Sequence, residues 1–460
     1  MPIGRPLFEA SIGKPNGKAN SLPAGTYHPV SLGLPATLSL TTHRFYPIVP
    51  MAVTSPKHQF AAGLIACLGL ICPMSDAVAD EGDVFNVLAA QNLTHDSNVF
   101  RLAPTVDPNA VIGRSDKDDF STVTTLGILA DKRIGRQRLF GDATRTLVRY
   151  RRFDFLDYDV NAYRFSWDGE IGNDWQIKGR WSRDKSLTSF GDFRSPTRNL
   201  ETRRPRSLFV NYRVDSRWWL LAGVSASETS NSTAARRSLD VKSVTHEGGI
   251  QYRAPWGGVL GLTLRNRDGS YPNRAIGPFA TADTRFEQEE TELTFTHPYD
   301  GLSRIEARLA HVRRSYPTLT ARDFSGPSAR LAWTWVLRGG LSVTITARRE
   351  LIADEQLFSS YDVTKALSIA PRWVISGKTQ IEASFERRLR YFLGDPGFFV
   401  LPLAIPARRD ATNLYSASIV YAPLRSTTLR LSLSQDERVS SANGLAYQAT
   451  TLFGSAQVVF

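Results

Sequence analysis

Cysteine is almost missing from this chain. Only Cys67 and Cys72 occur among 460 residues, so the sequence beyond them has no disulfide, thiolate metal site or cysteine nucleophile to offer. Long apolar runs are missing too: the best, Phe60 to Ile71, falls short of the roughly 18 residues that a membrane-spanning helix needs. Histidines are few, and His95, His246, His297 and His311 are scattered without ligand spacing. No G-x-S-x-G, H-E-x-x-H or phosphate-cradling loop occurs. Neighbouring Asp and Glu residues could imitate the carboxylates of a glycosidase, but arginines interleave with them throughout. These gaps point away from catalysis, and neither a cofactor nor a metal is expected. A mean hydropathy of −0.24 with 42% hydrophobic residues excludes a helical membrane protein and fits poorly with a disordered chain.

What is present is alternation. From Thr379 to Tyr391, Ile381, Ala383, Phe385, Leu389 and Tyr391 share one parity, and Gln380, Glu382, Ser384, Glu386, Arg388 and Arg390 share the other. Side chains on a strand point to opposite faces in turn, so one face suits oil and the other water. The pattern returns from Thr427 to Leu433, from Leu341 to Glu350 and from Ser303 to Leu309. Repeated along the chain, it predicts an all-β fold: an antiparallel transmembrane β-barrel.

The amino-terminal stretch reads differently. Lys57 and His58 precede the apolar run, and Ala77-Val78-Ala79 supplies small residues for cleavage, so residues 51–79 read as a signal peptide. Leu64-Ile65-Ala66-Cys67 resembles a lipoprotein cleavage box, yet apolar residues continue to Cys72 and the later site fits better. Residues 1–50, rich in Pro, Gly and Ser, read as a non-native or disordered extension upstream of Met51. The barrel is expected over 80–460 as a single domain, exported to the outer membrane of a Gram-negative cell. Residues 1–79 hold five of the 56 Lys and Arg and two of the 44 Asp and Glu, so the basic balance belongs to the exported part. Nucleic acid is a poor partner for an exported chain.

Candidate strands begin near Val84, Phe120, Leu139, Tyr158, Trp175, Arg206, Trp218, Lys242, Val259 and Arg285. Others begin near Leu302, Ser328, Leu341, Val363, Lys378, Ala411, Thr427 and Ala446, giving about eighteen; sixteen would also suit the length. Short turns such as Gly135-Arg136, Gly172-Asn173, Asp215-Ser216 and Gly339-Gly340 alternate with long segments such as His95 to Asp119 and Lys185 to Arg204. Short periplasmic turns and long outer loops are the expected topology. Tyr150, Trp175, Trp218, Trp219, Trp333, Trp335, Trp373 and Tyr421 are candidates for the interfacial aromatic girdles. The terminal Phe460, after alternating residues, resembles the signal read by the outer-membrane assembly machinery.

If the apolar parity meets lipid, a basic row meets the bore. Its candidates are Arg145, Arg149, Arg151, Arg164, Lys178, Arg180, Arg265, Arg304, Arg308, Arg348, Arg388, Arg390 and Arg430, interleaved with Asp168, Glu247, Glu290, Glu292, Glu306, Glu350, Glu382 and Glu386. Paired charges would stiffen the wall, and surplus arginines would lower the barrier to an anion. Phe190, Tyr271, Phe398 and Phe399 in the outer loops could serve as faces for sugars.

Three front segments, DVFNVLAAQNLTHDSNVFRL, DKRIGRQRLFGDATRT and RYRRFDFLDYD, carry a family resemblance. With Asp96-Ser97-Asn98, Phe100-Arg101-Leu102, Gly135-Arg136-Gln137 and Asp157-Tyr158, they resemble the EpsL-type exopolysaccharide-operon outer-membrane proteins, grouped with β-barrel porins of the porin-2 type. The resemblance implies a channel exporting an extracellular polysaccharide. Its partners would be outer-membrane lipid and lipopolysaccharide, the secreted polymer and periplasmic export components. The alternatives are a general or anion-preferring diffusion porin and a surface-structural or adhesin barrel.

Overall fold

The computed structural model describes residues 84–191, 195–274, 283–299, 302–353, 359–394 and 407–460. The expected upstream extension, the signal peptide with Cys67 and Cys72, and Phe398 and Phe399 lie outside these residues.

The strands are β1 (Phe85–Asp96), β2 (Asp119–Ile134), β3 (Gln137–Tyr150), β4 (Tyr158–Ile171) and β5 (Trp175–Leu187). Next come β6 (Leu200–Arg203 continued by Arg206–Arg213), β7 (Trp218–Asn231), β8 (Val241–Arg253), β9 (Val259–Ser270) and β10 (Arg285–Tyr299). The rest are β11 (Ser303–Ser315), β12 (Phe324–Val336), β13 (Leu341–Ala353), β14 (Tyr361–Val374), β15 (Thr379–Leu393), β16 (Arg409–Leu424), β17 (Thr427–Ser440) and β18 (Tyr447–Val459). Each runs antiparallel to its neighbours in sequence, and β18 returns to pair β1, with Leu88 opposite Val459 and Asp96 opposite Thr451. The chain is a closed 18-stranded antiparallel β-barrel. Closure leaves no edge, as hydrocarbon demands, because lipid offers no partner to an unpaired backbone group.

The two pieces of β6 form one strand. Asp184 faces Arg203 and Trp181 faces Arg206, while on the other side Thr229 faces Arg203 and Ala226 faces Arg206, so register runs through unbroken. Pro205 between them lacks an N–H and interrupts the ladder without shifting it. The strand therefore begins at Leu200, earlier than the expected Arg206. Most other starts agree with the sequence to within two residues; β12 begins at Phe324, not Ser328. The strands run from 12 to 16 residues, beyond the roughly 9–11 that cross a bilayer. Their outer ends carry polar and charged residues on both faces, so hairpin pairing continues above the apolar belt.

The short turns fall where the sequence places them. Gly135 and Gly172 adopt positive φ (58° and 59°), which the β2–β3 and β4–β5 turns need and which only glycine takes without a steric cost. In the β6–β7 turn, Asp215 accepts from the backbone N–H of Arg217 (2.6 Å) and of Trp218 (2.8 Å). These bonds hold its carboxyl below the usual carboxylate range. A depressed pKa adds stability that is complete above the ordinary value and lost as pH falls through the native one, so the turn should loosen in acid. Hydrogen exchange at the Trp218 amide, followed from neutral pH into the acid range, checks this; protection unchanged once Asp215 is protonated would contradict it.

The outer face carries Leu260, Leu262 and Leu264 on β9, Leu331 and Trp333 on β12, Leu367 and Ile369 on β14, and Leu431 and Leu433 on β17, all exposed. Trp175, Trp218, Trp333, Trp335, Trp373 and Tyr421 join that face near its lower edge. Tyr150 and Trp219 do not: Tyr150 shares its parity with buried Val148, and Trp219 is only 5% exposed beneath the Arg253 guanidinium, 4.1 Å from its ring centroid. One residue along a strand reverses the face, which removes both from the lipid girdle. A closed barrel wrapped in such a belt is an outer-membrane protein of a Gram-negative cell.

Candidate functional site

The bore is the candidate site, and register decides what lines it. Arg348 on β13 reaches Glu386 on β15 across β14 (2.9 Å), and Arg430 on β17 reaches Glu382 on β15 across β16 (3.0 Å). Such bridges over an intervening strand form where side chains converge, on the concave side. Arg164, Lys178, Arg180, Arg265, Arg304, Arg308, Arg348, Arg388, Arg390 and Arg430 all share this inner parity.

Three of the expected bore residues lie elsewhere. Arg145 stands opposite Leu126 and Arg149 opposite Thr122, in the row of exposed Leu126 and Ile128, so both project outward near the top of β3. The run Arg145-Thr146-Leu147-Val148-Arg149 places arginine on the same parity as Leu147, and that signal was present in the sequence. Both are paired there: Arg149 Nη2 lies 2.7 Å from Asp159 and 3.8 Å by its Nε from Asp157, and Arg145 lies 3.4 Å from Asp159. Arg151 follows the end of β3, in the connection to β4.

The inner wall is an ion-paired lattice. Arg265 on β9 donates to Glu247 on β8 (2.9 Å) and to Glu290 (2.7 Å) and Glu292 (3.0 Å) on β10. Arg308 on β11 closes the group on the other side, bonding Glu290 (2.6 Å) and Glu292. Further round, Glu386 accepts from Arg348 and Arg388, and Asp362 accepts from Arg390 (2.8 Å) and Thr364. Glu306 pairs with Arg304 (2.7 Å), Asp168 with Arg180 (2.7 Å), and Arg164 approaches Asp142 (3.5 Å). Most of these pairs tie one strand to another and so stiffen the wall.

One row departs from this balance. Arg267 on β9, Gln288 on β10 and Arg314 on β11 lie side by side in register, and Gln288 occupies the place that Glu290 takes in the row below. Arg267 donates to Ser243 Oγ (3.0 Å) and has no carboxylate within ion-pair distance among the described residues. Arg314 donates to Gln288 (3.1 Å) and stacks on Phe286, 3.7 Å from its centroid. A neutral amide therefore stands between two guanidiniums at this level, where the row below carries a carboxylate.

Above it, outer connections turn inward. Val99, Phe100 and Leu102 from the β1–β2 connection, Phe153 and Leu156 from β3–β4, and Phe190 from β5–β6 form one buried apolar cluster, with Phe100 and Phe190 at 4.7 Å. Asp119 anchors it by accepting from the backbone N–H of Arg152 (3.0 Å) and Phe153 (2.9 Å). Asn98 cements its base, donating to the carbonyls of Leu102 and Gln448. The Asp96-Ser97-Asn98 segment is thus a loop-capping turn, closed by two Asp96–Arg101 bonds. The segment after β5 reaches the inner face of β17, where Arg438 Nη2 donates to the Gly191 carbonyl (2.9 Å). Since β17 and β5 are separated by five strands, this contact spans the mouth. Phe190 (5% exposed) and Tyr271 (4%, packed with Phe286 and Tyr316) are structural, so neither is an open face for sugar. No local pattern marks Phe100, Phe153 and Phe190 as partners, because they meet through three separate loops.

The fold and wall define an outer-membrane β-barrel of eighteen strands with a charged, ion-paired interior. No protein-family model matches the sequence, and no curated protein matches it either. Among solved structures, the chain is similar to the outer-membrane protein OpdK of Pseudomonas aeruginosa, with 11% identity, a TM-score of 0.45, and coverage of 82% of this chain and 99% of that one. It is also similar to OccK2 (OpdF) of the same organism in complex with glucuronate, at 11% identity and TM-score 0.45, covering 82% and 98%. A BenF-like porin from Pseudomonas fluorescens Pf-5 gives 9% identity and 0.45, covering 82% and 98%. The fold assignment rests on the strand ladder itself.

Proposed function

We propose that this barrel is a diffusion porin that favours small anionic solutes. The observation that carries this reading is the inward-folded apolar cluster with its Arg438–Gly191 contact. It narrows the mouth of a bore in which Arg267, bonded to Ser243 and facing the neutral Gln288, has no carboxylate within ion-pair distance among the described residues. A narrow mouth suits small solutes, and fixed guanidiniums lower the entry barrier for anions. Single-channel recording of the purified barrel under a salt gradient tests this: the reversal potential should report anion preference, and the double variant Arg267→Gln/Arg314→Gln should move it toward neutral. An unchanged reversal potential in that variant would defeat the assignment. Substituting Arg438→Ala releases the Gly191 carbonyl and should raise unitary conductance; equal conductance would mean that the cross-mouth contact does not limit flow.

The resemblance of the front segments to exopolysaccharide-operon barrels supports a second reading, export of an anionic polymer. A polymer would need the cluster displaced. Added polysaccharide should then block the open channel, while a small-solute porin conducts undisturbed.

A further inference from the structure

Three cations on the outside of the barrel form a patch that the channel reading leaves unexplained. Arg349 on β13 lies directly opposite Lys365 on β14, and Arg387 on β15 lies opposite Leu367, one step diagonally from Lys365. Their parity is that of Ala347, Leu367 and Leu389, the lipid-facing row. Lys365 and Arg387 are exposed, and Arg349 is half-buried with Nη1 donating to the Pro327 carbonyl. Among the described residues no carboxylate lies within ion-pair distance of any of the three. Outward Glu289 on β10 faces Arg313, and outward Glu437 lies on β17, two strands beyond Arg387. The contrast with β3 and β4 is direct. There the outward Arg145 and Arg149 meet Asp159.

Height matters as much as charge. Lys365 sits eight residues above Trp373 on the same outer row of β14, which places it about 20 Å higher along the axis for a strand tilted by roughly 40°. That is close to the upper rim of an apolar band about 25 Å tall. Below the patch the surface is apolar, with Leu367, Ile369 and Trp373 on β14 and Ile345 beside them on β13. Beside it are aromatic rings, Tyr391 with the Lys365 ammonium 5.7 Å from its centroid, and exposed Tyr415. A charge facing lipid is costly, and compensation must come from the membrane if the protein does not supply it.

We propose that Arg349, Lys365 and Arg387 form a docking site for the phosphorylated glucosamine headgroup of an outer-leaflet saccharolipid, the lipid A part of lipopolysaccharide. Two guanidiniums and an ammonium on adjacent strands match the charge of sugar phosphates, and guanidinium engages phosphate bidentately. Apolar rows beneath receive acyl chains, and Tyr391, just above the Lys365 row, lies at headgroup level. The site is independent of the bore, so it stands or falls apart from the transport reading.

The test compares three full-length barrels refolded in detergent: wild type, the triple variant Arg349→Gln/Lys365→Gln/Arg387→Gln, and the control Arg145→Gln/Arg149→Gln, which removes outward charge that is already paired. Native mass spectrometry with added bisphosphorylated lipid A should show tight adducts on wild type and control and at least a tenfold weaker adduct on the triple variant. Dephosphorylated lipid A and phosphatidylglycerol should bind all three equally and weakly. Equal lipid A binding by the triple variant, an equal loss in the control, or displacement of lipid A by equimolar phosphatidylglycerol would each overturn the site. Should the triple variant lack the heat-dependent gel shift of a folded barrel, the exposed single changes Lys365→Gln and Arg387→Gln provide the same comparison, each expected to weaken the adduct severalfold.

Discussion

Substituting Arg265→Ala is expected to cost the barrel about 3–5 kcal/mol, the penalty of leaving buried charge without its partner. Arg265 is the hub of a five-residue group in which Glu247, Glu290 and Glu292 are each no more than 12% exposed. Without its guanidinium, Arg308 alone would face Glu290 and Glu292, and Glu247 would lose its strong donor. Like-charge repulsion across β8, β9 and β10 then adds to the desolvation of the carboxylates. Denaturant titration of the refolded barrel, read by tryptophan fluorescence and gel mobility, measures the loss. Adding Glu247→Gln to Arg265→Ala should recover part of it, because the neutral amide removes one orphaned charge. A loss below about 1 kcal/mol, the scale of an exposed surface pair, would mean that bore water screens the group.

The second large effect concerns the lipid face. Ile369→Arg places a guanidinium near the middle of the apolar belt and should cost roughly 2–4 kcal/mol in insertion, whereas Ser368→Arg, one residue away and facing the bore, should assemble normally. Ile369 is 41% exposed among Leu367, Ile345 and Phe385, with no carboxylate partner in its row. Folding into lipid vesicles, followed by the heat-dependent mobility shift, compares the pair. Equal folding of both would invalidate the facing of β14, and with it the facing of the arginines read as bore residues.

Much of this was legible one strand at a time. Ile381, Ala383 and Phe385 against Gln380, Glu382 and Ser384 give the face of β15 without any coordinates, because the pleat has a period of two. Gly135 and Gly172 mark their turns for an equally local reason. The expected start of β6 near Arg206 left Leu200 to Arg203 in the Lys185 to Arg204 loop, although the ladder on both sides holds its register through Pro205. Arg145 and Arg149 misled in another way. They were grouped with the bore by charge, while their parity with Leu147 put them outside, and Asp159 on the next strand makes that position tolerable.

The sequence by itself determined that the chain alternates, that its connections alternate in length and that about eighteen strands fit, because these depend on backbone period and turn chemistry within a few residues. Only the tertiary structure decided which guanidiniums meet carboxylates, which row is left with an amide between two arginines, and which outer cations have no carboxylate among the described residues. Those outcomes depend on closure of β18 on β1 and on the register of each pair. A single sequence carries no local trace of them, since Arg438 and Gly191, 247 positions apart, come within hydrogen-bonding distance only after the chain between them has been wound around a bore.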